Sequence, residues 1–190
     1  MIYVKDNFID EELFKILNEN LINFKEVKTP GKSFWVIEPE KNFVKYITSK
    51  IGAIEKCEIE NILCFFRQAK ENQDDDWRIH NDSIINNQQP DRAIVLYMSS
   101  DNTDELNGTA FWEHKEYGDV YKGETVEEFN DLLSEDSNDI SKWNLKTVIG
   151  YRPNRLVSYP CHYFHSKYPN KFKNRKVFVM FYKTKQYERK

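Results

Sequence analysis

Apolar positions fall at helical spacing in two places and in alternation over most of the rest of the chain. In "IDEELFKILNENLINF" the residues Leu13, Ile16, Leu17 and Leu21 share one face of a helix. Asp10, just ahead of them, suits an N-cap. "PEKNFVKYITSKIG" predicts a second helix that starts after Pro39 and ends at Gly52. A short strand, "MIYVKD", precedes the first helix, and "KSFWVIEP" reads as a strand between the two. From residue 57 the pattern turns to period two, with strands expected in "ENILCFFRQAK", "WRIHND", "RAIVLYMSS", "GTAFWEHK", "LKTVIGY", "NRLVSYP" and "RKVFVMFYK". One acidic helical insert, "TVEEFNDLLSEDSND", interrupts them. Helices followed by many short strands predict an α+β domain, with a jelly roll the best match to about eight antiparallel strands. The N-terminal helices would pack on one of its sheets. An Ig-like sandwich explains the strands but not the polar residues that follow them.

A length of 190 residues fits one domain and one core. Within it, residues 1–56 read as helical support and 57–190 as the jelly-roll core, with the acidic insert at about 118–143. The 15% aromatic share agrees with a pleated core, because rings pack well on sheet surfaces. A net charge of −3 gives no general pull toward nucleic acid, and the basic "KTKQYERK" reads as a solvated terminus. "MIYVKDNFIDEEL" is acidic where a secretory leader is basic, and no apolar run approaches the ~20 residues of a membrane span. Cys57, Cys64 and Cys161 show no metal-knuckle or disulfide-framework spacing, which fits a reducing compartment, and cytoplasm is expected.

Two stretches carry candidate chemistry. In "WRIHNDSIINNQQPDRAIVLYMSS" an extended strand would point His80 and Asp82 at one spot, since positions i and i+2 share a face. A second histidine brought to that spot would complete the two-histidine, one-carboxylate face that holds non-haem Fe(II). H-x-D alone is common, and a hydrogen-bonded pair in a surface loop also accounts for it. The second stretch, "NRLVSYPCHYFHSKYPNKFKNRKVFVMFY", offers His162 and His165 beyond a strand ending at Pro160. Farther on, Arg175, Val177, Val179 and Phe181 share a strand face. A guanidinium on a buried face is costly without an anion, and its fork matches a carboxylate. An exposed arginine at a strand edge is the competing reading.

Taken in order, these pieces resemble the Fe(II)- and 2-oxoglutarate-dependent dioxygenase superfamily, in particular its prolyl-hydroxylase-like branch. The matching order is H-x-D, an apolar strand, a G-T-x-F strand, the "NRLV" strand, a distal histidine and an arginine ten residues on. "YVKDNFIDEEL" is similar to the entry strand and first helix of that branch, so the resemblance spans most of the chain. It implies a double-stranded β-helix of the cupin type, with His80, Asp82 and His165 as metal ligands. It also implies that Arg175 binds the far carboxylate of 2-oxoglutarate, with Tyr97 in "VLYMS" sharing that carboxylate. Fe(II), 2-oxoglutarate and O2 would be required, with ascorbate as an optional reductant. The implied reaction hydroxylates a C–H bond of a peptidyl, prolyl-like or small-molecule substrate and releases succinate and CO2. A nucleobase-demethylating relative and a non-catalytic jelly-roll module are the alternatives. Neither a nucleic-acid nor a membrane partner is expected, and the chain should be a monomer or weak homodimer.

Departures from the branch pattern are specific. Asn107-Gly108 stands where relatives often carry two glycines, and Val177 where many carry a serine or threonine. His162 competes with His165, but the spacing to Arg175 and the preceding "YP" favour His165, leaving His162 to a supporting or substrate contact. His114 is a candidate for the cavity mouth, against a solvated strand end. Trp112 reads as a core aromatic, as does Trp77, or as substrate lining. Arg67 is a candidate for the cosubstrate's near carboxylate, against a structural charge. Cys161 beside a histidine suggests a thiol nucleophile, though no orienting group accompanies it. Cys64 reads as a small buried hydrophobe. The loop "NDSIINNQQPD" and the acidic insert are the expected mobile, substrate-shaping segments.

Overall fold

The computed structural model describes residues 1–29, 32–70, 77–99, 108–120, 126–168 and 174–185. Ten strands and three α-helices are present among them. They are β1 (Tyr3–Lys5), α1 (Glu11–Asn20), β2 (Lys25–Thr29), β3 (Lys32–Ile37), α2 (Lys41–Glu55), β4 (Glu58–Lys70), β5 (Arg92–Tyr97), β6 (Gly108–His114), α3 (Val126–Asp136), β7 (Trp143–Ile149), β8 (Leu156–Pro160), β9 (His165–Tyr168) and β10 (Asn174–Lys185). They form a seven-stranded sheet, ordered β1-β8-β5-β10-β4-β3-β2, and a three-stranded sheet, β7-β6-β9. Every strand pairing among the described residues is antiparallel. Among the described residues no helix is long and apolar enough to cross a membrane, and the three cysteines form no disulfide.

Period-two alternation divides the large sheet into two faces. Ile94, Leu96, Phe178, Met180 and Tyr182 point to one side and are buried with Phe43, Ile47 and Ile51 of α2. The rings of Phe43, Phe66 and Phe178 lie 5.1 to 5.3 Å apart there, so truncating any of them should cost about 3–5 kcal/mol. Ala93, Val95, Tyr97, Val157, Tyr159, Val177 and Phe181 point the other way and pack with Phe111 of the small sheet. Helices therefore cover one face, and the small sheet covers the other. A third cluster, with Ile79, Trp112, Leu132, Trp143 and Phe164, fills the space beneath α3.

Several local features differ from expectation. Residues 1–56 supply three strands of the large sheet as well as two helices. β2, "KEVKT", escapes a hydrophobic-pattern reading because Val27 is its only apolar residue. α2 runs past Gly52 to Glu55 and ends at Lys56 in the left-handed conformation, whose N–H bonds back to the Gly52 carbonyl. The Asp10 carboxylate makes no capping bond and instead accepts from Tyr46 Oη at 2.9 Å. "WRIHND" is not a strand: it makes only an isolated bridge between His80 and His165. The polar loop after it is pinned by a tight turn, with Ile85 and Gln88 exchanging two 2.9 Å backbone bonds. Both turn residues, Asn86 and Asn87, have positive φ, as this kind of hairpin turn requires.

Candidate metal centre

His80, Asp82 and His165 converge at the open end between the two sheets. Their ligand atoms all lie within 4.8 Å of one another. Asp82 Oδ1 is 3.7 Å from His80 Nε2, and Oδ2 is 3.2 Å from His165 Nε2. Main-chain bonds set this up. His80 and His165 exchange N–H to carbonyl bonds of 3.0 and 2.7 Å, and the Asp82 N–H donates to the Cys161 carbonyl at 2.8 Å. Arg78, at φ 44°, turns the chain so that its carbonyl meets His80.

The second nitrogen of each ring decides what the cluster can hold. His80 Nδ1 lies 2.6 Å from the Arg78 carbonyl, and His165 Nδ1 lies 2.9 Å from the Tyr163 carbonyl. A carbonyl can only accept, so both Nδ1 atoms carry a proton and each ring turns Nε2, the nitrogen that bears the lone pair when the ring is neutral, toward Asp82. Two imidazole nitrogens and a carboxylate aimed at one point make a donor set that suits a cation. The donor set and its oriented rings fit a divalent metal of the iron type. Burial opposes ionisation of Asp82, but positive charge facing it, on His165 and then His80 when those rings are protonated and on Arg67, outweighs it and holds the carboxyl below its ordinary pKa.

A second cluster lies on the same inner face. Tyr97 is fully buried, and its Oη lies 2.9 Å from Thr109 Oγ1 and 3.2 Å from the Ile149 carbonyl, which share its single O–H. Its ring stacks on Tyr151 at 4.6 Å. Burial raises the Tyr97 phenol pKa, with Arg175 and Thr109 opposing that rise. Arg175, 9% exposed, directs Nη2 to the Gly108 carbonyl at 3.3 Å and to Thr109 Oγ1 at 3.4 Å, and its guanidinium lies 5.4 Å from the Tyr97 ring centre. Arg175 is thus a buried cation beside two hydroxyls, not an exposed strand-edge charge. Val177 supplies no hydroxyl, but Thr109 does. Gly108 is obligatory in this corner, because a Cβ there would sit 1.8 Å from the Ile149 carbonyl oxygen. Asn107 lies outside the described residues.

The remaining candidates separate. His162 is exposed with its ring against Tyr163 at 5.1 Å, and it lies outside the cluster that His165 completes. His114 is neither at a cavity mouth nor solvated: it is 2% exposed, Nδ1 accepts from the Glu116 and Tyr117 N–H groups, and Nε2 donates to Asp136 at 3.0 Å. Trp112 points to the opposite side of the small sheet from Phe111, bonded to Ser166 Oγ at 2.9 Å and edge-on to Trp77. Arg67 lies on the inner face directly across from Val177, with its guanidinium 4.8 Å from the Phe34 ring centre. Burial, followed by Asp82 and Asp91, raises the pKa of the Cys161 thiol, the reverse of what a nucleophile needs. Cys64 is half-buried against the helix-side core.

Sequence reasoning assigns no individual role to Thr109 and Phe111, members of the G-T-x-F strand, or to Tyr159. Tyr159 is buried with its ring 4.7 Å from that of His165, and Phe111 lies 6.3 Å from the same ring. The signal for Thr109 was alternation within "GTAFW", which puts Thr109 on the face of Phe111.

No family model matches the sequence, and no curated protein matches it. Solved structures do match. HygX from Streptomyces hygroscopicus, determined with nickel and 2-oxoglutarate bound, aligns over 96% of this chain and 82% of its own, with a TM-score of 0.63 and 9% identity. SnoK, a non-heme alpha-ketoglutarate-dependent carbocyclase from nogalamycin biosynthesis, aligns over 95% and 78%, with a TM-score of 0.62 and 8% identity. A Pseudomonas putida prolyl-4-hydroxylase aligns over 97% and 92%, with a TM-score of 0.56 and 10% identity. What these chains share at such identities is architecture: this protein has the α+β, double-stranded β-helix fold of the 2-oxoglutarate/Fe(II) oxygenases.

Proposed function

We propose that this chain is an Fe(II)- and 2-oxoglutarate-dependent oxygenase that hydroxylates a C–H bond of a peptidyl, prolyl-like or small-molecule substrate, yielding succinate and CO2. The observation that carries this is the pairing of a His80–Asp82–His165 cation site with the buried Arg175 on one inner face of the fold. His80, Asp82 and His165 would hold the iron, and Arg175 would grip the far carboxylate of 2-oxoglutarate, with Tyr97 and Thr109 beside it. Iron, 2-oxoglutarate and O2 supply the oxidising chemistry when bound.

The protein's own contribution is orientation and exclusion of water. The Nδ1 bonds to the Arg78 and Tyr163 carbonyls fix the tautomer and angle of both imidazoles. Tyr159 and Phe111 flank His165 with ring surface and keep that side dry. Arg175 sits where low polarity strengthens its hold on an anion. We read the whole chain as one catalytic domain, a monomer or weak homodimer of the cytoplasm, where three unpaired cysteines are at home.

Support for the substrate range comes from the fold's company: one HygX structure holds hygromycin B, and another neighbour is a prolyl-4-hydroxylase. The test is succinate formation by purified protein supplied with 2-oxoglutarate, O2, ascorbate and Fe(II). Turnover that needs both the metal and the 2-oxoacid is expected. Protein that binds neither Fe(II) nor 2-oxoglutarate would overturn the reading.

A further inference from the structure

The register of the large sheet places five residues in one line across the inner face. Tyr97 faces Val177, Val177 faces Arg67, Arg67 faces Val36, and Val36 faces Lys25. Directly opposed residues of an antiparallel sheet project to the same side, so this line leads from the Tyr97–Arg175 corner onto β3 and β2. Phe34 and Val27, paired with each other, flank it on the same face. The line carries Arg67 and Lys25 and no acid. Its apolar members Phe34 and Val36 are half-buried, and Val27 is 44% exposed.

Arg67 and Arg175 are diagonal neighbours on adjacent strands, since Arg67 faces Val177 and Arg175 faces Ala69. Arg67 thus presents a second guanidinium on the face that carries Arg175, one diagonal step away. Arg67 has a platform for an anion. Its guanidinium lies over the Phe34 ring, and an arginine stacked in this way keeps the donor edge of its fork in a fixed direction.

Resting on the oxygenase reading, which gives Arg175 to the cosubstrate, we infer that Arg67 on its Phe34 platform is a substrate subsite. It takes a carboxylate or phosphate carried on an apolar body, with that body laid along Phe34, Val36 and the β2 edge. Lys25, at the end of the line, adds positive charge at the entrance. The substrate would therefore be an anionic amphiphilic molecule or an acidic peptide with apolar neighbours, not a neutral or cationic one.

The test uses full-length protein loaded with Mn(II) and 2-oxoglutarate and titrated by calorimetry with 4-phenylbutyrate and its uncharged counterpart, 4-phenylbutanol. Relaxation of the ligand protons by Mn(II) reports whether they sit beside the metal. The carboxylate is expected to bind about tenfold tighter than the alcohol, the scale of one charge-assisted contact. Arg67→Gln should erase that preference, Arg67→Lys should keep part of it, and Phe34→Ala should reduce it while leaving the charge in place. The affinity for 2-oxoglutarate should barely move in Arg67→Gln. Equal binding of the two probes, or a preference that survives both Arg67→Gln and Phe34→Ala, would overturn the inference. So would a loss of 2-oxoglutarate affinity in Arg67→Gln, which would assign Arg67 to the cosubstrate's near carboxylate. If wild-type protein takes up neither Mn(II) nor 2-oxoglutarate, the oxygenase reading itself fails and the inference falls with it.

Discussion

His80 and His165 hold each other through the main chain: each N–H meets the other's carbonyl, at 3.0 and 2.7 Å, and the two rings lie 4.5 Å apart. The bridge does not depend on either side chain. Replacing His80, Asp82 or His165 with alanine should therefore leave the fold intact while lowering Mn(II) affinity more than about a hundredfold. Calorimetric metal titration beside a thermal melt checks both halves. Stoichiometric metal in Asp82→Ala would sink the ligand assignment.

Arg175→Gln should weaken 2-oxoglutarate binding by about 10- to 100-fold, the worth of a charged hydrogen-bonded contact. Thr109→Val keeps the shape but removes the hydroxyl that faces both Tyr97 and Arg175. About 1 kcal/mol of stability should go with it, together with a smaller loss of 2-oxoglutarate affinity. Titration of both variants with 2-oxoglutarate settles the order. An unchanged affinity in Arg175→Gln would place that arginine outside the site.

Gly108→Ala tests the corner that joins β6 to β7. Its new Cβ would meet Ile149 backbone at 1.8 and 2.8 Å, and backbone cannot swing aside as a side chain can. A loss of at least ~3 kcal/mol is expected, read as a fall in the unfolding midpoint. A melt within a degree of wild type would show that this approach is looser than described.

His114 anchors the segment after α3. Its replacement by alanine removes the bond to Asp136, strands two backbone N–H groups and opens space against Trp143. About 3 kcal/mol should be lost. Asp136→Asn retains an acceptor for His114 and should cost under ~1 kcal/mol. Ser137 and Asn138 accept from the Ile79 and Arg78 N–H groups, so hydrogen exchange at residues 78–80 should quicken in His114→Ala. Unchanged exchange there would uncouple the insert from the metal centre.

Asp6 gives a stability that depends on pH. The Arg155 hydrogen bond, against an opposing effect of burial and with help from Arg152, depresses its pKa. Arg155 Nη2 donates at 3.0 Å and Arg152 Nη1 at 2.9 Å. A carboxyl with a lowered folded pKa stabilises fully above its unfolded value, near ~4, and loses that contribution as pH falls through the folded value. Asp6→Asn should therefore be less stable than wild type at pH 7, by no more than about 1 kcal/mol because the pair is partly exposed. The two proteins should converge as pH falls below ~4. A gap that persisted at pH 2 would implicate packing instead of charge.

The expected strands of the core were legible because helices cover one face and the small sheet the other, so both faces are buried and the strands read as short, nearly continuous apolar runs. β4, β5, β8 and β10 are such strands. His80, Asp82 and His165 are legible as an ordered set, but an isolated bridge to His165 and not an extended strand through "RIHND" brings them together. The roles of Thr109 and Tyr159 were not legible: alternation gives the face Thr109 is on, but nothing local names its partner Arg175, or the partner His165 of Tyr159. β2 was invisible for a different reason: a short edge strand on a polar hairpin needs no hydrophobic period.

β10 belongs to two environments at once. Phe178, Met180 and Tyr182 are sealed beneath α2, while Arg175, Val177 and Phe181 face the small sheet. Removing or adding a single residue within it would exchange the two sets, driving the guanidinium into the helix layer and aromatic rings onto the face of the candidate site. Side chains along β10 can drift in size over evolutionary time, but its residue count cannot. Among divergent descendants of this chain, length variation should collect in the turns around the strand and never within it.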